Sequence, residues 1–316
     1  MKHLIIVSVI LLAAMQLAHA ASGRIFVTNE RSNDISVING SSLEVERTIE
    51  VGDRPRGIGI SPDGAELYIA VSEENVIAVI DLETLELLRK FQAGSDPETF
   101  AVHPNGNIYI SNEDDAKASV YNPKTGEQLA EIEVGLEPEG VAISPDGKHV
   151  IVTSESTNML HVIQVPEHTI VANILVGARP RAATFTNDGA IAYSTSEISG
   201  EVKKVDMSTF EVVAVRKIAD EKAKPKDVIL NKDETKLYVA GGRSNQVIVM
   251  DADQMEVIKG IPVGKRVWGL AMTKDGSKVF STDGVSGTVS VIDTGKDEVI
   301  KTIEVGKFPW GVVIDD

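Results

Sequence analysis

Apolar residues along the chain fall into short runs that alternate with polar ones or are dense in β-branched side chains, and these runs come in sets of four. In 57–91 they are Gly57-Ile-Gly-Ile60, Glu66-Leu-Tyr-Ile-Ala70, Val76-Ile-Ala-Val-Ile80 and Leu87-Leu-Arg-Lys-Phe91. None has the 3.6-residue period of an amphipathic helix, so the set predicts four short strands. Between the first two lies Ser61-Pro-Asp-Gly64, where proline presets φ and glycine accepts a positive φ, which makes a tight hairpin. The same turn returns as His103-Pro-Asn-Gly106, Ser144-Pro-Asp-Gly147, Thr186-Asn-Asp-Gly189 and Thr273-Lys-Asp-Gly276, and in degenerate form as Asn231-Lys-Asp-Glu234.

A second signal keeps the same time. The glycine of a Val/Ala-Gly pair recurs at 52, 94, 135, 177, 264 and 306, with gaps of 42, 41, 42, 87 and 42 residues. The long gap holds one degenerate copy, Lys224-Pro225-Lys226-Asp227. Seven four-stranded units of about 42 residues predict an all-β fold, a seven-bladed β-propeller with antiparallel blades. The final copy, from Val305 to Asp316, stops before its turn. Its missing strands are at the other end of the chain, at Arg24–Thr28, Ile35–Ile38 and Val45–Ile49, so one blade is composite and the C-terminal strand closes the ring. Residues 21–316 read as a single domain.

Residues 1–20 have a short basic start, an apolar run and Ala18-His19-Ala20. This is the pattern of a secretory signal cleaved near Ala20, and the run is too short to span a bilayer. The expected location is the periplasm, with no membrane span after cleavage. The chain has no cysteine, which excludes disulfides, thiolate metal sites, covalent haem attachment and a cysteine nucleophile. A balance of 31 basic against 47 acidic residues gives a net charge of −16, which argues against nucleic acid as a partner.

Phe26-Val-Thr-Asn29, Tyr109-Ile-Ser-Asn112, Tyr238-Val-Ala240 and the Pro-x-Gly-x-x-x-Ser-Pro-Asp-Gly frames resemble the YVTN-repeat family of seven-bladed propellers. The paired Gly-His and Trp-Asp of WD repeats do not recur. In length, exported single-domain layout and repeat register the chain is similar to the β-propellers associated with PQQ-dependent catabolism. That resemblance implies a non-enzymatic periplasmic accessory in PQQ-linked alcohol or aldehyde oxidation, with a quinoprotein dehydrogenase or a small anionic ligand as partner. It carries over no catalytic residue.

Residues common to all repeats belong to the scaffold, so chemistry is sought where equivalent positions differ. The position after the motif proline reads Arg56, Glu98, Glu139, Arg181, Lys226, Trp268 and Trp310 around the ring; the position two earlier reads Arg54, Asp96, Glu137, Arg179, Lys224, Arg266 and Phe308. Both series point to a channel mouth with an acidic sector, a basic arc and two indoles. Cationic side chains pair with carboxylates and indoles stack on flat rings, so the candidate ligand site is Arg54, Arg56, Glu98, Glu139, Arg179, Arg181, Lys226, Arg266, Trp268 and Trp310, and a planar polycarboxylate such as PQQ suits it. A bland alternative is open: ion pairs between blades with the tryptophans as a plug.

Acidic residues in the turns between strands two and three, Glu30, Glu73, Glu113, Asp114, Asp115, Glu155, Glu197 and Asp283, belong on the same face. Their spacing matches no calcium loop, and no metal ligand is assigned. His103, His149 and His168 belong on the opposite face, with His161 inside a strand, which leaves no histidine base for a triad at the mouth. Two other functions remain open. One is a lactonase-like hydrolase using Glu98, Glu137 or Glu139 as general base with Arg181 at an oxyanion. The other is a structural or adhesive platform.

Overall fold

The computed structural model describes residues 21–316; the signal segment expected at 1–20 lies outside the described residues. Seven four-stranded antiparallel sheets form the seven blades, and helix is confined to two single turns, Ser72–Glu74 and Gly242–Ser244, among the described residues. No helix there is long and apolar enough to cross a membrane. Blade 1 is the composite: Pro309–Asp315 pairs with Arg24–Asn29, which continues to Asp34–Asn39 and Glu44–Glu50. Blades 2 to 7 span residues 55–92, 97–133, 138–175, 180–217, 228–262 and 267–304.

Hydrophobic burial is divided among seven cores, one at each junction between blades. Side chains alternate across a strand, so neighbouring residues feed different cores. Phe26 packs into the junction with blade 2, whereas Ile25 and Val27 pack into the junction with blade 7. This two-sided burial is why the middle strands read as nearly continuous apolar runs. Outermost strands such as Glu211–Lys217 alternate between exposed and half-buried residues.

The first strand of each blade lines the channel, and these inner strands pack side by side around the ring. In every blade but blade 6 the pairing slips just after the motif position, for example between Pro138 and Val141. At that bulge a backbone N–H leaves the ladder, and a hydroxyl from the second strand receives it. Gly140, Gly269 and Gly311 donate to Thr153, Thr282 and Thr28 at 2.8–2.9 Å. The same hydroxyls then donate to a carbonyl of the next blade, Thr28 to Arg56 at 2.7 Å and Thr282 to Trp310 at 2.7 Å. Ser111 and Thr195 bridge to Glu139 and Lys226 in the same way. This is the work of the third residue in the Tyr-Val-Thr-Asn pattern.

Two residues before the residue that follows the motif proline, in every blade but blade 6, the backbone turns left-handed, at Arg54, Asp96, Glu137, Arg179, Arg266 and Phe308, with φ between 44° and 62°. Each non-glycine residue there costs on the order of 1 kcal/mol. Part of that is offset by asparagines of the preceding blade: Asn33, Asn75, Asn158 and Asn245 accept hydrogen bonds from the N–H groups of Arg54, Asp96, Arg179 and Arg266. The recurring glycine has a steric cause. A Cβ on Gly94, already at φ +79°, would lie 2.5 Å from the Asn112 carboxamide, and one on Gly264 would lie 2.6 Å from Asp283.

Blade 6 departs from the pattern. Its inner strand is only Val228–Leu230, and alanine stands at the hydroxyl position, Ala240. Asp227 takes over, accepting the Val228 N–H within its blade and the Leu270 N–H of blade 7, each at 2.8 Å.

The C-terminal strand touches the inner strands on both sides as well as Arg24–Asn29. Deleting 309–316 opens the ring, and we expect a thermal midpoint lowered by more than about 10 °C, following from loss of several kcal/mol of packing, together with rapid proteolysis in blade 1. An unchanged melt and protease pattern would show that closure does not depend on this strand.

Candidate functional site

The left-handed residue and the bulge aim both variable series at one end of the channel, and the turns between strands two and three sit beside them. Repeated backbone bonds hold the two together: Glu113, Glu155, Glu197 and Gly284 N–H donate to Asp96, Glu137, Arg179 and Arg266 carbonyls. The ten candidate residues therefore form one collar around the mouth.

The structure pairs most of its charges. Arg54 contacts Asp96 at 3.0 Å and Glu98 at 3.1 Å. Arg56 also pairs with Glu98 and lies 3.5 Å from Glu30; Glu98 has no exposed surface. Across the ring, Arg181 bridges Glu139 at 2.6 Å and Glu155, Arg179 meets Glu155 at 2.6 Å, and Lys226 reaches Glu197 at 2.5 Å. Glu30, Glu155 and Glu197, grouped in the sequence only as turn acids, are the counter-ions that burial of these cations requires. Their signal was position: each follows the last residue of the second strand.

Arg266 differs. Among the described residues it has no carboxylate partner, its Nε is buried without an acceptor, and its guanidinium lies 5.0 Å from the Trp268 ring centroid. Burial and the nearby Arg243 hold its pKa below the usual arginine value. The two indoles are 6.3 Å apart at 30°, with Arg56 over Trp310 at 5.5 Å and Lys226 over Trp268 at 4.2 Å. The Trp310 indole N–H is also buried without a partner. The indoles line a cavity of about 190 Å³ with residues of the inner strands.

Other candidates separate from the collar. Oxygens of Asp96, Glu98 and Glu113 lie within 4.8 Å of one another, but Arg54 and Arg56 neutralise the first two. Burial, with Glu139 and Asp96 nearby, pushes the Glu113 carboxyl up. Glu137 accepts a hydrogen bond from Ser156. His103 and His168 sit around Tyr109, and His161 accepts the Gly135 N–H at 2.9 Å. Asp227, which carries the blade 6 to blade 7 link, was not singled out in the sequence; its sign was an aspartate where other blades have glycine, alanine or threonine.

The fold and collar define a seven-bladed propeller with an ion-paired channel mouth. The chain belongs to the choice-of-anchor I domain family, whose model matches residues 95–283. No curated protein matches the sequence. Among solved structures it is similar to a functionally unknown protein from Desulfotomaculum acetoxidans (TM-score 0.81, 16% identity, covering 93% of this chain and 99% of that one). It is also similar to a putative 6-phosphogluconolactonase from Bacteroides fragilis (0.78, 18%, 93% and 98%) and to hydrazine synthase from Kuenenia stuttgartiensis (0.75, 20%, 81% and 88%). These likenesses show the fold.

Asp283 lies inside blade 7, fully buried, accepting hydrogen bonds from Ser290 at 2.7 Å and Thr288 at 3.1 Å. Burial pushes its pKa up to about 6. A raised carboxylate pKa means the folded state holds the proton more tightly, so stability falls as pH rises from about 4 to 6. Blade 1 places Asn29 in the equivalent setting, against Asp34 and Ser36. Asp283→Asn is therefore expected to add about 1–3 kcal/mol at pH 7.5 and little at pH 4, read from urea melts at both pH values. Equal effects at the two would contradict this.

Proposed function

We propose that the protein is an exported, periplasmic, non-enzymatic binding propeller that takes a planar anionic ligand at the channel mouth, in the sector of Trp268, Trp310 and Arg266. The observation that carries this is the pair of buried, unpartnered donors, Arg266 Nε and Trp310 Nε1, beside two indoles tilted at 30° to each other. Buried donors are ordinarily satisfied, and an acceptor-rich flat ligand would satisfy both. The remaining collar cations are held by Glu30, Glu98, Glu139, Glu155 and Glu197, so recognition narrows from the whole basic arc to this sector. PQQ, a flat quinone with three carboxylates, has the right chemistry, and the similarity to PQQ-associated propellers makes it the first ligand to test. The family's description as a choice-of-anchor domain accords with an exported chain. The hydrolase reading is less well served, since two of its three candidate bases, Glu98 and Glu139, are engaged with arginines and the third, Glu137, accepts from Ser156.

The mature protein titrated with PQQ, with absorbance-matched controls, should show a saturable change in intrinsic fluorescence, because its two tryptophans are both at the mouth. Arg266→Gln should weaken binding about tenfold or more, the loss of one charge-assisted contact. A flat response confirmed by calorimetry would overturn PQQ as the ligand. An affinity unchanged by Arg266→Gln would overturn the assignment of the sector.

A further inference from the structure

Beside the indoles, the 190 Å³ cavity is lined by the inner strands, and glycine at 57, 140, 269 and 311 leaves its wall without side chains at those points. A cavity this size holds several waters or a small organic molecule. Lys226 is the one collar residue that carries an amine, and it lines this chamber. Its side chain is 5% exposed, its Nζ lies 4.2 Å from the Trp268 ring centroid and 2.5 Å from Glu197, and Asp227 is the next residue. The charged groups facing it from neighbouring blades are Arg181 and Glu139. Burial first, then Arg181, brings the amine down to about 7 despite Glu197. A desolvated lysine beside another cation is the setting in which amines attack carbonyl carbon.

We propose that Lys226 captures small neutral aldehydes in this chamber as an imine. The amine gives its proton to the Glu197 carboxylate, its lone pair forms the C–N bond as the carbonyl π pair moves to oxygen, and a proton from the now cationic nitrogen passes to that oxygen to give the carbinolamine. Glu197 then returns its proton as the carbinolamine hydroxyl leaves as water and the nitrogen pair closes the C=N bond. Amine and aldehyde give imine and water, with no oxidant or reductant. Lys226 lines the same cavity as the two indoles, but imine formation does not require the ligand proposed at the mouth.

The test treats the mature protein with acetaldehyde and cyanoborohydride at pH 7 and maps N-ethylated lysines by mass spectrometry. The neutral fraction of an ordinary lysine at this pH is about a thousandfold below that of Lys226. Lys226 should therefore label roughly a hundredfold or more faster than exposed lysines such as Lys296 and Lys307, with the chain's α-amine as internal standard. Glu197→Gln should slow labelling at Lys226, and Lys226→Arg, which keeps a cation for Glu197, should abolish selective labelling with the circular dichroism unchanged. Label spread over surface lysines with Lys226 unmodified would overturn the proposal, as would undiminished labelling in Glu197→Gln with respect to Glu197's role. PQQ titration of the same samples reads the mouth separately.

Discussion

A hydroxyl on the second strand is the interaction on which the channel mouth depends. It accepts the N–H released by the bulge in its own blade and donates to the collar residue's carbonyl in the next, so one side chain fixes both the bulge and the spacing between blades. Without the bulge, the residues on the inner strand would keep strict alternation, and the collar positions would not turn together toward the mouth. The left-handed residue just before each bulge adds the second half of the bend. Function and scaffold meet at these two positions.

The collar that results is crowded with positive charge, which acids of the adjoining turns largely neutralise. Removing one member of a buried pair leaves its partner without compensation, which costs far more than the pair contributes; this explains why acids from the loops between strands two and three line up with cations from the inner strands. Such a network holds the mouth rigid. Against that background three buried donors without acceptors stand out: Arg266 Nε, the Trp310 indole N–H and Arg56 Nε, whose guanidinium lies over the Trp310 ring. The first two lie in the same sector, where the ring passes from the irregular blade 6 to the composite blade 1. The sequence irregularity and the unmet hydrogen bonds thus coincide, and the aspartate that repairs the blade 6 junction, Asp227, lines the same cavity as the two indoles.

Much of the fold was legible from the chain because each blade repeats the same turn and the same glycine, and the truncated final copy announced its pairing with the N-terminal strands. Strand limits differed by a residue or two, as at Pro55–Ile60 against Gly57–Ile60, since proline opens the strand without donating to it. The collar positions were also legible, because variation at one register of a repeat is visible in the sequence. Which charges were already paired was not. That depends on Glu30, Glu155 and Glu197 reaching across a blade junction, a distance set by the radius of the ring and by nothing in local spacing. Asp283 was grouped with these acids, but it turns into its own blade, toward Ser290.

Thr282 offers the most direct test of this account, since its hydroxyl accepts the N–H next to Trp268 and donates to the carbonyl of Trp310. The indole bands in the near-ultraviolet circular dichroism of Thr282→Val would read the two tryptophans as a coupled pair. The account predicts that their signal collapses while the far-ultraviolet spectrum keeps its β-sheet form, and that the melt shifts by about 2 kcal/mol for the two buried groups left unpaired. An indole signal identical to that of the parent protein would contradict the claim that the hydroxyl relay sets the geometry of the mouth.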